Sequence, residues 1–68
     1  MLQLILSCIP KSGIDVDRLF TKVARARGDA GGMTLFEEFQ SALRSLLVSR
    51  QIETRIVRGA VRYFKAKG

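Results

Sequence analysis

The chain has 68 residues, 47% of them hydrophobic, and carries 12 Lys+Arg against 6 Asp+Glu with no His, a formal net charge of +6. That length allows a single domain over residues 1–68 and excludes a two-domain enzyme with a deep interdomain cleft. One cysteine, Cys8, excludes a disulfide scaffold, and the absence of His excludes a Cys/His zinc site and removes the commonest general base. Composition therefore points away from an enzyme and from any cofactor.

No stretch reaches the ~18 apolar residues of a membrane span, so no membrane partner is expected. The opening Met1–Ile9 is apolar, but no basic residue precedes it and no small-residue cleavage site follows it. It reads as core, not as a signal peptide. A lone unpaired Cys8 fits a reducing compartment, so a cytoplasmic location is expected.

Leu2, Ile5, Leu6 and Ile9 recur at i, i+3, i+4 and i+7 and predict a first helix over about residues 2–9, ended by Pro10 and the turn Lys11-Ser12-Gly13. Ile14 is expected as a one- or two-residue strand before Asp15, a good N-cap. Val16, Leu19, Phe20 and Val23 predict a second helix over about 16–26. Asp17 in its first turn and Arg25 and Arg27 near its end suit the helix dipole. Gly28 to Gly32 breaks the chain.

Thr34 and Glu37 are spaced as a capping box, which predicts a third helix over about 35–49 with Thr34 as N-cap. Leu35, Phe36, Phe39, Ala42, Leu43, Leu46 and Leu47 form its apolar stripe. After Arg50 the pattern changes to two β-branched and aromatic runs, Ile52–Val57 and Ala60–Lys65, around Arg58-Gly59. They predict a hairpin over about 52–65. Arg58-Gly59 is a poorer two-residue turn than Asn-Gly, which leaves a longer loop open. A tight turn sets Ile56 against Val61, Thr54 against Tyr63 and Ile52 against Lys65, with that face packed on the helices. Arg55 and Arg62 then oppose each other on the outer face. Phe20, Phe36, Phe39 and Tyr63 are expected in the core. Phe64 falls on the outer face, where it covers a helix end or marks a partner contact.

Helix, turn, helix, glycine loop, long helix and a basic-tipped hairpin together resemble a winged helix-turn-helix domain, a mostly α fold with a C-terminal β-hairpin (α+β). The resemblance spans the chain and is most specific in Ser41–Ile52 running into Val57–Phe64. It is similar to the small regulators of pilus phase variation and of phages or plasmids. It implies a recognition helix at the third helix, an Arg-Gly wing tip, and double-stranded DNA as partner. Two features depart from the family's pattern. The Gly28–Gly32 loop is longer than a strict helix-turn-helix turn, and Glu37 and Glu38 open the third helix where a DNA reader usually presents neutral or basic groups.

Charge is distributed unevenly. From Arg50 onward, Arg50, Arg55, Arg58, Arg62, Lys65 and Lys67 face only Glu53. A basic hairpin on an otherwise mixed surface suits a phosphate backbone, and the Arg fork matches phosphate oxygens or guanine. On the third helix Gln40, Ser41, Arg44 and Ser45 are the candidates for base edges, with Arg44 the guanine partner. The candidate DNA-binding set is therefore Gln40, Ser41, Arg44, Ser45, Arg50, Arg55, Arg58, Arg62 and Lys65. With no element to spare for a dimerisation arm, the chain is expected to act as a monomer, to self-associate on DNA, or to work beside a larger protein. The acidic start of the third helix and Phe64 favour the alternative, a winged-helix module that docks on a protein.

Overall fold

Each apolar periodicity closes into a helix, and the change of period after Arg50 closes into a hairpin. The computed structural model describes residues 1–28 and 32–66. Its elements are α1 (Leu2–Cys8), α2 (Val16–Arg27), α3 (Met33–Val48), β1 (Ile52–Val57) and β2 (Ala60–Lys65). Three helices followed by an antiparallel hairpin is the α+β order expected of a winged helix-turn-helix. The middle of the glycine loop (29–31) and the basic tail at Lys67 lie outside the described residues.

Ile14 forms an isolated antiparallel bridge with Tyr63, so the expected one-residue strand exists and docks on β2. The register is that of the tight turn: Ile52↔Lys65, Thr54↔Tyr63, Arg55↔Arg62 and Ile56↔Val61. The apolar stripes of the helices meet in one cluster of Ile5, Ile9, Ile14, Leu19, Val23, Phe39, Leu43, Leu46 and Ile52. Cys8 is half-buried and packs against this cluster as a small hydrophobe. The rings of Phe20, Phe36 and Phe39 pack on one another at centroid distances of 5.1 to 6.4 Å.

Several expectations need correction. α3 begins at Met33, with Gly32 as its N-cap and no side-chain cap bond. The amide of Phe36 donates to the Gly32 carbonyl at 3.1 Å. Helix propagation gains one backbone hydrogen bond per added residue, and that outweighs a single side-chain cap at Thr34. Thr34 and Glu37 therefore do not form a capping box. Asp15 does stand at the N-cap of α2, but its side chain makes no cap bond; Oδ1 lies 3.7 Å from Nε of Arg18. Phe36, expected in the core, keeps 37% of its surface exposed and covers Phe20 and Phe39 from the solvent side.

The inner face of the hairpin is covered only at its base. Ile52 is 2% exposed, whereas Ile56 is 76% and Val61 50% exposed. The ribbon outreaches the three helices, so its tip has nothing to pack on. Phe64, on the opposite face, packs on the turn after α1. Gly13 has φ +80°, and a Cβ built on it would lie 2.5 Å from Cζ of Phe64. Only glycine meets both the left-handed backbone and this close approach.

Gly13→Ala should destabilise the fold by about 2–4 kcal/mol, from left-handed strain plus overpacking. Chemical denaturation checks this. Combining it with Phe64→Ala should cost less than the sum of the two single changes, because the clash is then gone. Additive costs would mean that Phe64 does not hold the turn.

Candidate nucleic-acid interface

The outward face of α3 is set by its buried one. With Leu35, Phe39, Leu43 and Leu46 inside, Glu37, Ser41, Arg44 and Val48 stand at the centre of the solvent face, one or two turns apart. Gln40 and Ser45 flank them, and all four expected base-edge candidates are exposed. Val48, 78% exposed, sits among them as an apolar neighbour, on the face where its place in the helical repeat puts it. The acidic start of this face is partly offset. Arg27 Nη1, at the end of α2, lies 3.3 Å from Glu38 Oε2. Glu37 makes no ion pair among the described residues.

The hairpin arginines separate into different environments. Arg55 forms an ion pair with Glu53 and places its guanidinium carbon 4.7 Å from the centroid of Phe64, a cation–π contact. Arg62, its partner in register, is half-buried, and its Nη2 donates a long bond of 3.5 Å to the Gly13 carbonyl. The two side chains are therefore not a bare like-charge pair: Arg62 faces the tip and Arg55 faces the base.

At the tip, Arg62 and Arg58 line a cleft of about 680 Å³ together with Arg18, Asp15, Val57 and Ala60. Arg18 was not among the candidates. Its signal is indirect: pairing Ile14 with Tyr63 sets the start of α2 beside Arg62, and Arg18 lies one turn further on. At the base, Arg55 and Lys65 share a hollow with Lys11 and Phe64. Arg50 and Lys65 border a further one with Leu6 and Gln51. The nine candidates thus occupy three places: the α3 face, the tip cleft and the hairpin base.

Two of these arginines sit where glycine is usual. Arg50 has φ +62° and Arg58 φ +54°. Arg50 closes α3 in a Schellman pattern: its amide donates to Leu47 O at 3.1 Å, and that of Gln51 to Leu46 O at 2.9 Å. Arg58 and Gly59, φ +54° and +80°, supply the two positive φ angles of a type I′ hairpin turn. A side chain in the left-handed region costs about 1–2 kcal/mol. Each site therefore carries a cationic side chain at some expense in backbone energy.

No group of three metal-ligating side chains occurs among the described residues, and none of their helices is long and apolar enough to cross a membrane. No family model, curated protein or solved structure matches this chain.

Arg58→Asn converts the tip to Asn-Gly, whose left-handed tolerance should raise stability by about 1 kcal/mol. A thermal melt of the variant checks it. An unchanged or lower midpoint would mean that the turn is not strained by Arg58.

Proposed function

We propose that the chain is a small DNA-binding transcriptional regulator of the winged-helix type, acting in the cytoplasm. In this reading α3 lies in the major groove, with Arg44, Gln40, Ser41 and Ser45 at base edges. The hairpin is the wing, and its tip touches flanking phosphates or the minor groove. The observation that carries the reading is the convergence of Arg18, Arg58 and Arg62 on one cleft at the wing tip, with Arg58 held in a strained conformation. Three guanidinium groups beside a single carboxylate, Asp15, favour an anion, and a phosphate diester can accept charge-assisted hydrogen bonds from several of them. Pairing of Glu38 with Arg27 supports it further by reducing repulsion at the start of α3.

A specific observation favours a second reading. Ile56 and Val61 form an exposed apolar pair on the inner face of the wing, which suits a protein surface better than a phosphate backbone. In that reading the chain docks on a larger protein and reads no sequence.

Arg44→Ala should weaken binding to a preferred duplex by about 1–3 kcal/mol and affect random DNA less. Titrations on both duplexes measure the difference, and equal losses would reduce Arg44 to a phosphate contact. Arg58→Asn should weaken binding at every sequence and lower the slope of log affinity against log salt by about one unit. Since the same variant gains stability, lost binding would not be a folding defect. An unchanged affinity and slope would remove the wing tip from the interface.

A further inference from the structure

β2 is paired on both sides, by β1 on one and by Ile14 on the other. Among the described residues β1 is paired on one side only, so its second edge is free. The hydrogen bonds already made determine which groups lie along it. Tyr63 exchanges both of its backbone bonds with Ile14, at 3.0 and 2.8 Å, and so has none for Thr54 opposite it. At the foot of the ladder the Ala66 amide donates to Gln51 O at 3.0 Å. Antiparallel bonding alternates, so Glu53, Arg55 and Val57 turn their backbone groups toward β2. Ile52, Thr54 and Ile56 turn theirs toward the free edge. Of these three, Thr54 and Ile56 are exposed and Ile52 is buried by its own helices.

We propose that this edge pairs with the same edge of a second copy of the chain, antiparallel, across a twofold axis at Thr54. The register follows from the backbone and the charges together. A ladder needs outward-turned residues opposite one another, which restricts the axis to whole-residue positions on the strand. With the axis at Glu53, that residue meets the partner's Glu53; with the axis at Arg55, it meets the partner's Arg55. Like charges directly opposed destabilise a sheet. With the axis at Thr54, Thr54 exchanges two hydrogen bonds with the partner's Thr54. Glu53 then faces the partner's Arg55, and Arg55 the partner's Glu53, which extends across the axis the ion pair each chain already makes between its own Glu53 and Arg55. These are non-hydrogen-bonded pairs, where side chains approach most closely. The sequence Glu53-Thr54-Arg55 is therefore complementary to itself in the register that pairs the exposed backbone groups of Thr54 with those of the partner's Thr54.

The same axis accounts for the bare apolar tip. A twofold perpendicular to the sheet keeps both copies' inner faces on one side. Each copy's tip, with Ile56 and Val61 exposed, then lies alongside the helix-covered base of the other. The symmetric contact is isologous, the commonest kind in soluble dimers. It needs no nucleic acid, so its test is separate from that of DNA binding.

Sedimentation velocity of the full chain without DNA, over a concentration series, should show a monomer–dimer equilibrium. Glu53→Arg or Arg55→Glu alone should weaken association by about tenfold, since each turns two attractive pairs into repulsive ones. The double variant E53R/R55E should return it close to the parent value. Thr54→Pro removes an outward amide that the hairpin does not use, so it should give a monomer with an unchanged circular dichroism spectrum. A chain that stays monomeric up to about 1 mM, weaker than any useful affinity, would overturn the proposal. So would a dimer indifferent to the single charge changes, or one that a folded double variant does not recover.

Discussion

The arrangement depends on one short piece of pairing, the two hydrogen bonds between Ile14 and Tyr63. A two-stranded hairpin is marginal by itself in water. This bridge makes it part of the fold by anchoring β2 to the segment between α1 and α2. With Tyr63 fixed there, the next residue, Phe64, falls over Gly13, and the preceding one, Arg62, reaches the Gly13 carbonyl. Ile14 and Ile52 then enter the core from either side of β2. The hairpin base is rigidly placed for this reason, and the tip extends past the helices for the same one.

Placing the tip beside the start of α2 has an electrostatic consequence. Arg18, remote in sequence from the hairpin, joins Arg58 and Arg62, while Asp15 engages Arg18 at only 3.7 Å and substantial exposure. Ion pairs of that kind contribute little to stability. Arg50 and Arg58 bracket β1 in left-handed conformations that favour glycine. Neither arginine is favoured by its local backbone, and each sets a positive charge at one end of the strand. Arg55, by contrast, contacts Glu53 and Phe64 of its own chain.

Helix positions and the presence of the hairpin were readable from the sequence because each rests on a local period. Leu43 and Leu46 could only belong to the buried face of a 3.6-residue repeat, whereas Arg58-Gly59, a poorer two-residue turn than Asn-Gly, left open a longer loop that the observed register excludes. What was not readable depended on the reach of one element beyond another. Alternation alone placed Ile56 and Val61 inside, because nothing local tells that the helices end short of the tip. The cap of α3 was misplaced for a related reason: the Thr34–Glu37 spacing was suitable, but Met33 and Thr34 could also extend the helix back to Gly32. Arg18 escaped notice because its role comes from the Ile14–Tyr63 pairing, a contact 49 residues apart in the sequence. Phe64 was placed on the correct face, but its partner, Gly13, is also remote in the sequence, on the other side of two helices.

The measurement that bears most directly on the account is a titration of the isotopically labelled chain with duplex DNA at two salt concentrations, followed by amide NMR. Binding through the tip cleft and the outward face of α3 predicts shifts at Arg18, Arg58, Arg62 and along Gln40–Ser45. Those shifts should grow weaker at the higher salt as counterion release becomes less favourable. Shifts absent even at low salt, or confined to residues away from both surfaces, would contradict it.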